Sequence, residues 1–86
     1  MKERQDTSSQ EYIEDEELYI ERKIRRREAD WSFINSLPPR LKYAIILFIE
    51  KGDLRLAQKL SGLSLEEFIE LLEKARVPVF ITILRE

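Results

Sequence analysis

Residues 56–78 of this chain read LAQKLSGLSLEEFIELLEKARVP. A short helical pattern leads into a Ser-Gly-Leu-Ser turn, and a second helical pattern continues to Pro78. Gly62 stands where such a turn requires a residue that tolerates a positive φ. Ser64 and Glu67 have the spacing of a capping box at the start of a helix. The stretch therefore predicts a helix-turn-helix.

The residues before the turn predict two further helices. The first runs over 39–51, is apolar on more than one face and stops at Gly52, so we expect it to be central. Asp53 can cap the next helix over 54–60. We expect this helix to bury Leu56, Ala57 and Leu60 and to expose Arg55, Gln58 and Lys59. On the helix after the turn, one face carries Leu65, Phe68, Leu71, Leu72 and Ala75.

The N-terminal third of the chain predicts a charged helical arm. Residues 1–10 are polar and we expect them to be disordered, whereas the pattern over 11–36 is helical. Asp30 could cap a separate short helix over 31–35, which would divide the arm into two helices. A narrow apolar stripe along the arm suits a partner helix; it consists of Ile13, Ile20, Ile24, Trp31 and Ile34.

The C-terminal residues 77–86 predict one β-strand, because 79–84 read VFITIL between Pro78 and Arg85. No other segment has a clear strand pattern, so its mate would be the same strand in a second copy or a strand of another protein. The overall prediction is a mainly α fold: a tri-helical core over 37–76, the arm, and a strand that pairs in a homodimer. The interface would include Ile20, Ile24, Trp31, Ile46, Val79, Ile81 and Ile83.

Composition narrows the function. The chain has 86 residues, no cysteine and no histidine, which removes the commonest ligands of a metal site and the commonest general base. We therefore expect no enzyme, no cofactor and no metal. Neither a signal peptide nor a membrane-spanning run is visible, so a cytoplasmic, non-membrane protein is expected. The 37% of charged residues resembles thermophile or archaeal composition.

Two groups of basic residues are candidates for DNA binding. The first surrounds the turn, where Ser64 could also hold a phosphate at a helix N-terminus. The second is the basic run of the arm, for which an ordinary solvated helix is an equal alternative. Against DNA binding, the helix after the turn carries Glu66, Glu67, Glu70 and Glu73, and glutamate reads only cytosine amino groups. The candidate DNA-binding residues are Arg55, Lys59, Ser64, Arg22, Lys23, Arg25, Arg26 and Arg27.

Residues 44–81 resemble a small prokaryotic family of uncharacterised, antitoxin-like helix-turn-helix proteins, of the kind called VapB-like. The residues that fit its pattern are Ala57, Gly62, Ser64, Phe68, Leu71, Leu72, Val77 and Pro78. Gln58 departs from it, because the family commonly has alanine there. The resemblance implies a transcriptional regulator of a toxin–antitoxin operon, with DNA and a cognate toxin as partners. The alternative is a non-enzymatic protein-interaction module whose helix-turn-helix is structural.

Overall fold

A computed structural model describes residues 18–80 of the chain. Five helices follow one another in this part. The first, α1, is helical over 18–28; the others are α2 (Trp31–Asn35), α3 (Pro39–Lys51), α4 (Leu54–Ser61) and α5 (Leu65–Lys74). The predicted helical core is confirmed, and α4 extends one residue further than predicted.

The arm is divided into two helices at Asp30, as its capping pattern allows. The Asp30 side chain accepts a hydrogen bond from the backbone N–H of Phe33 at 3.1 Å. Its own backbone N–H donates to the carbonyl of Ala75 at 2.8 Å, which joins the break to the end of α5. The indole N–H of Trp31 donates to the carbonyl of Arg26 near the end of α1 at 2.9 Å. Side-chain capping thus fixes the turn between α1 and α2.

Helix α3 is the central helix. Four of its side chains are buried, namely Ala44, Ile45, Phe48 and Ile49. It ends at Gly52, whose φ of 72° is left-handed, and the Gly52 N–H donates to the carbonyl of Phe48. Glycine adopts this conformation without the Cβ penalty that other residues incur.

Helix α4 packs through small residues, and this overturns part of the predicted orientation. Ala57 and Ser61 are its buried residues, and Gln58 is half-buried. Leu56 and Leu60, which we expected to be inside, are 50% and 45% exposed. Each leucine precedes a buried small residue by one position, so it lies about 100° further round the helix. Small side chains at positions 57 and 61 allow close packing, and the leucines are left at the border.

The capping box at the start of α5 is confirmed. Ser64 Oγ accepts from the Glu67 N–H at 3.1 Å, and Glu67 Oε1 accepts from the Ser64 N–H at 3.0 Å. Phe68 and Leu72 are buried, as predicted, whereas Leu65 is exposed. The helix ends in a Schellman pair of hydrogen bonds, in which Val77 N–H donates to Leu72 and Arg76 N–H to Glu73. Arg76 occupies the left-handed position with a φ of 60°.

The hydrophobic core draws on the arm as well as on the three later helices. Ile34 of α2 is fully buried, and Ala29, between α1 and α2, belongs to the same cluster. The arm therefore packs on its own chain, and its apolar stripe is partly used there. The remaining buried members are Ala44, Ile45, Phe48, Ile49, Ala57, Phe68, Leu72, Ala75 and Val77.

The predicted C-terminal strand is not supported by the described residues. Residues 77–80 have no regular secondary structure, and Val79 packs partly buried against the core. The rest of the proposed strand, 81–84, lies outside the described residues, as do 1–17 and Ile13 with them. Between residues 18 and 80 no helix is long and apolar enough to cross a membrane.

Candidate interaction surface

The turn between α4 and α5 is held by side chains from α4. Gln58 Nε2 donates to the carbonyl of Leu63 at 2.7 Å. Ser61 Oγ donates to the carbonyl of Gln58 at 2.6 Å and accepts from the N–H of Leu63 at 3.0 Å. Gln58, which departs from the family pattern, thus satisfies a turn carbonyl instead of facing a ligand. These bonds give the helix-turn-helix a structural rationale that requires no DNA.

The outward face of α5, which would enter a DNA groove, is acidic. All four of its glutamates are exposed: Glu66, Glu67, Glu70 and Glu73. Lys74, at the last position, is the basic residue on this helix. Carboxylates on this face repel the phosphate backbone that supplies most DNA-binding affinity.

Three arginines of the arm form hydrogen bonds with the C-terminal end of α3. Arg22 Nε donates to the carbonyl of Glu50 at 3.1 Å, and Arg25 Nε donates to the carbonyl of Ile49 at 3.0 Å. Arg26 makes two bonds to the Glu50 carboxylate, at 2.8 and 2.9 Å. The last carbonyls of a helix have no partner within it and attract cations, so this arrangement completes the end of α3.

Arg25 is buried, with only 2% of its surface exposed. Its guanidinium carbon lies 5.3 Å from the centre of the Phe48 ring, and Nη1 lies 3.9 Å from a Glu21 carboxylate oxygen. Burial lowers the pKa of Arg25, and the positive charge of Arg22 acts in the same direction, whereas Glu21 and Glu50 raise it. A guanidinium enclosed in this way is engaged within the chain and is closed to a phosphate, so nothing in its surroundings favours the prediction that Arg25 binds DNA. Arg22 and Arg26 are likewise engaged within the chain.

Of the predicted DNA-binding cations, four remain outside this arrangement. Lys23 and Arg27 are exposed on α1; Lys23 Nζ lies 5.4 Å from the centre of the Tyr19 ring, and Arg27 Nε lies 3.5 Å from Glu28. Arg55 and Lys59 are exposed one helical turn apart on α4. Ser64 is also exposed, but its hydroxyl is occupied by the capping box. Arg55 and Lys59 are therefore the predicted cations nearest the turn that are open to a ligand.

Next to these two cations, α4 presents Leu56 and Leu60 to solvent, and we call these two leucines the leucine ridge. They are one turn apart on the same face, and about half of each residue is exposed. Apolar character alone predicts that both leucines are buried, so the ridge was not predicted from the sequence. The usable signal was the pair of small residues at positions 57 and 61, which indicates the face that packs closest.

The residues predicted for a dimer interface have different environments. Ile20 is exposed and Trp31 is 36% exposed, whereas Ile24, Ile46 and Val79 are half-buried within the chain. Ile81 and Ile83 lie outside the described residues. Before Arg22, the side chains of Leu18 and Tyr19 are exposed together with Ile20. Among the described residues of the arm, the three that precede Glu21 are the most exposed apolar side chains, and each is about half exposed.

Comparison with protein-family models, curated proteins and solved structures finds no match for this chain. The resemblance to antitoxin-like proteins therefore remains a prediction. Within 18–80, no three acidic side chains are grouped so that they could hold a metal ion.

Proposed function

We propose that this protein is a non-enzymatic interaction module that binds another polypeptide through the leucine ridge, and that its helix-turn-helix is structural. The single observation that carries the proposal is the exposure of Leu56 and Leu60 on a helix whose other face is packed through Ala57 and Ser61. Two adjacent leucines on one helical face suit helix-in-groove or helix-on-helix recognition, in which anchors recur at i and i+4.

The charges beside the ridge indicate the kind of partner. Arg55 and Lys59 flank the leucines, and both are exposed. An amphipathic partner with carboxylates beside its apolar residues would complement them, since opposite potentials across an interface fix orientation and exclude wrong partners. The acidic outward face of α5 and the internal use of three arm arginines argue against groove entry by DNA.

Photo-cross-linking in the native host tests the proposal. A photoreactive p-benzoylphenylalanine at position 56 or 60 should capture a polypeptide, identified by peptide mass spectrometry. The matched control is the same substitution at Glu73, an exposed position on α5. We expect position 60 to give defined protein adducts and position 73 to give none above background. Equal yields at both positions, or adducts with DNA alone, would contradict the proposal.

A second candidate function is the antitoxin-like, DNA-binding regulator of a toxin–antitoxin operon. The observation that favours it is charge: residues 18–80 carry twelve Lys and Arg against nine Asp and Glu, a formal charge of +3. Arg55 and Lys59 could then contact phosphates beside the turn. This candidate function includes a homodimer that pairs through residues 79–84. The dimer would be cytoplasmic and would bind a toxin.

A gel shift on the DNA upstream of the protein's own gene tests this second candidate. Retardation at low salt should be weakened by Arg55→Ala for all sequences alike, because a phosphate contact carries no base information. Lys74→Ala, at an exposed cation on α5 that is not among the candidate DNA-binding residues, is the control. Absence of retardation at micromolar protein would exclude DNA binding of this type.

A further inference from the structure

Charge is distributed very unevenly between the described body and the residues before it. Residues 1–17 contain two basic and seven acidic side chains, a formal charge of −5, whereas residues 18–80 carry +3. The acidic residues concentrate at the junction with α1: residues 11–20, EYIEDEELYI, hold five carboxylates, five apolar residues and no cation. This segment has the composition of an acidic amphipathic ligand.

The composition of 11–20 complements the surface of α4. The leucine ridge offers two half-exposed apolar side chains, and Arg55 and Lys59 lie one turn apart beside it. If the leucine ridges of two chains packed on each other, Arg55 and Lys59 of both chains would come together. Four neighbouring cations would repel one another, so this contact is unfavourable. A partner that supplies apolar side chains together with carboxylates avoids this repulsion.

The described start of the arm is open to such an exchange. Leu18, Tyr19 and Ile20 are exposed, whereas Arg22 and the residues after it are bonded to α3. The described start of α1 therefore presents three apolar side chains to solvent, directly before the part of the helix that is bonded to α3.

We propose that the occupant of the leucine ridge is residues 11–20 of a second copy, so that two chains exchange arms in a closed, twofold dimer. This inference rests on the proposed function, because it names the partner of the same ridge. Each dimer would contain two equivalent sites, since a twofold axis makes each protomer both donor and acceptor. The predicted pairing of C-terminal strands would be a separate contact that this dimer does not need.

Charge reversal in two separate proteins tests the exchange. One variant, Glu14→Lys with Glu17→Lys, makes the arm basic; the other, Arg55→Glu with Lys59→Glu, makes the ridge acidic. Each alone places like charges together, and we expect its dimer dissociation constant to rise at least about tenfold. In an equimolar mixture, the basic arm meets the acidic ridge and the unmodified arm meets the unmodified ridge. A heterodimer should therefore appear in native mass spectrometry.

The matched control is Arg27→Glu with Lys74→Glu, which changes the charge by the same amount at exposed positions on α1 and α5. It should dimerise like the unmodified chain, and circular dichroism should show that all variants are folded. A monomer at 100 µM for the unmodified chain, unchanged dimerisation of the reversed variants, or a mixture without heterodimer would overturn the exchange. Cross-links from position 60 to a different protein would then leave the proposed function standing.

Discussion

Two helix ends in this molecule are built in the same way and differ in burial. Helix α3 ends at Gly52, covered by Arg25, and α4 ends at Gly62, covered by Arg40. In each case the glycine has a left-handed φ, and the Nε–H of the arginine donates a hydrogen bond to a carbonyl in the last turn of the helix. Arg25 donates to Ile49 at 3.0 Å, and Arg40 donates to Leu60 at 2.8 Å. Arg25 is buried, whereas Arg40 is exposed.

Because the two caps share their geometry but not their burial, geometry alone does not determine how much each cap contributes to the free energy of unfolding. An exposed carbonyl that loses its arginine is solvated by water, so the loss is small. A buried carbonyl has no such replacement, and the space left by the side chain remains as a cavity. We therefore expect the same substitution to have different effects at the two ends.

Arg25→Ala should destabilise the protein more than any other substitution considered below. It removes the bond to Ile49, the contact with Phe48 and the buried volume, and we expect a loss of about 3 kcal/mol in the free energy of unfolding. Arg40→Ala, the matched control, should cost less than about 1 kcal/mol. Urea denaturation measures both. Equal losses would show that burial does not distinguish the two caps. If Arg25→Ala does not fold, Arg25→Lys should still rank below Arg40→Lys in stability.

Gly52→Ala should have the next largest effect, about 2 kcal/mol. A Cβ at Gly52 incurs the left-handed penalty of roughly 1 to 2 kcal/mol. It would also lie 3.1 Å from Nη2 of Arg25, which is enclosed and cannot easily move. A thermal melt compares the variant with the unmodified chain. In an Arg25→Lys background, Gly52→Ala should cost less free energy of unfolding than in the unmodified chain. An unchanged cost would show that the contact between the added Cβ and Arg25 does not contribute.

Gly62→Ala should cost only about 1 kcal/mol, although its contact is the tighter of the two. The added Cβ would lie 2.9 Å from the guanidinium carbon of Arg40. Arg40 is exposed and can swing into solvent, so only the left-handed penalty should remain. Adding Arg40→Ala should therefore change the cost of Gly62→Ala by less than about 0.5 kcal/mol in a double-mutant cycle. A coupling above 1 kcal/mol would contradict this argument.

The starts and ends of the helices could be predicted from the sequence, whereas the contacts between helices could not. Caps are local, so Asp30, Asp53 and Ser64 could be recognised from the residues that follow them, as could the stop at Gly52. The role of Arg25 depends on a bond to a residue 24 positions away, which no local pattern contains. The orientation of Leu56 and Leu60 depends likewise on how closely α4 approaches α3. Only part of the candidate site was therefore predicted from the sequence. Arg55 and Lys59 were expected to be exposed, whereas Leu56 and Leu60 were expected to be buried.

The smallest expected effect comes from Arg26, which neighbours Arg25 and is the exposed member of the arginine group. Its bidentate pair with Glu50 has good geometry, but the side chains of Arg26 and Glu50 are 52% and 36% exposed. Exposed ion pairs contribute about 0.2 to 1 kcal/mol and are weakened by salt. We expect Arg26→Gln to cost about 0.5 kcal/mol in 50 mM salt and less in 1 M salt. Arg27→Gln, whose partner is the adjacent Glu28 at 3.5 Å, should show neither loss nor salt dependence. A loss for Arg26→Gln that approached that of Arg25→Ala and persisted in 1 M salt would mean that Arg26 is shielded from water. Burial would then no longer separate the strong contacts of this helix end from the weak ones.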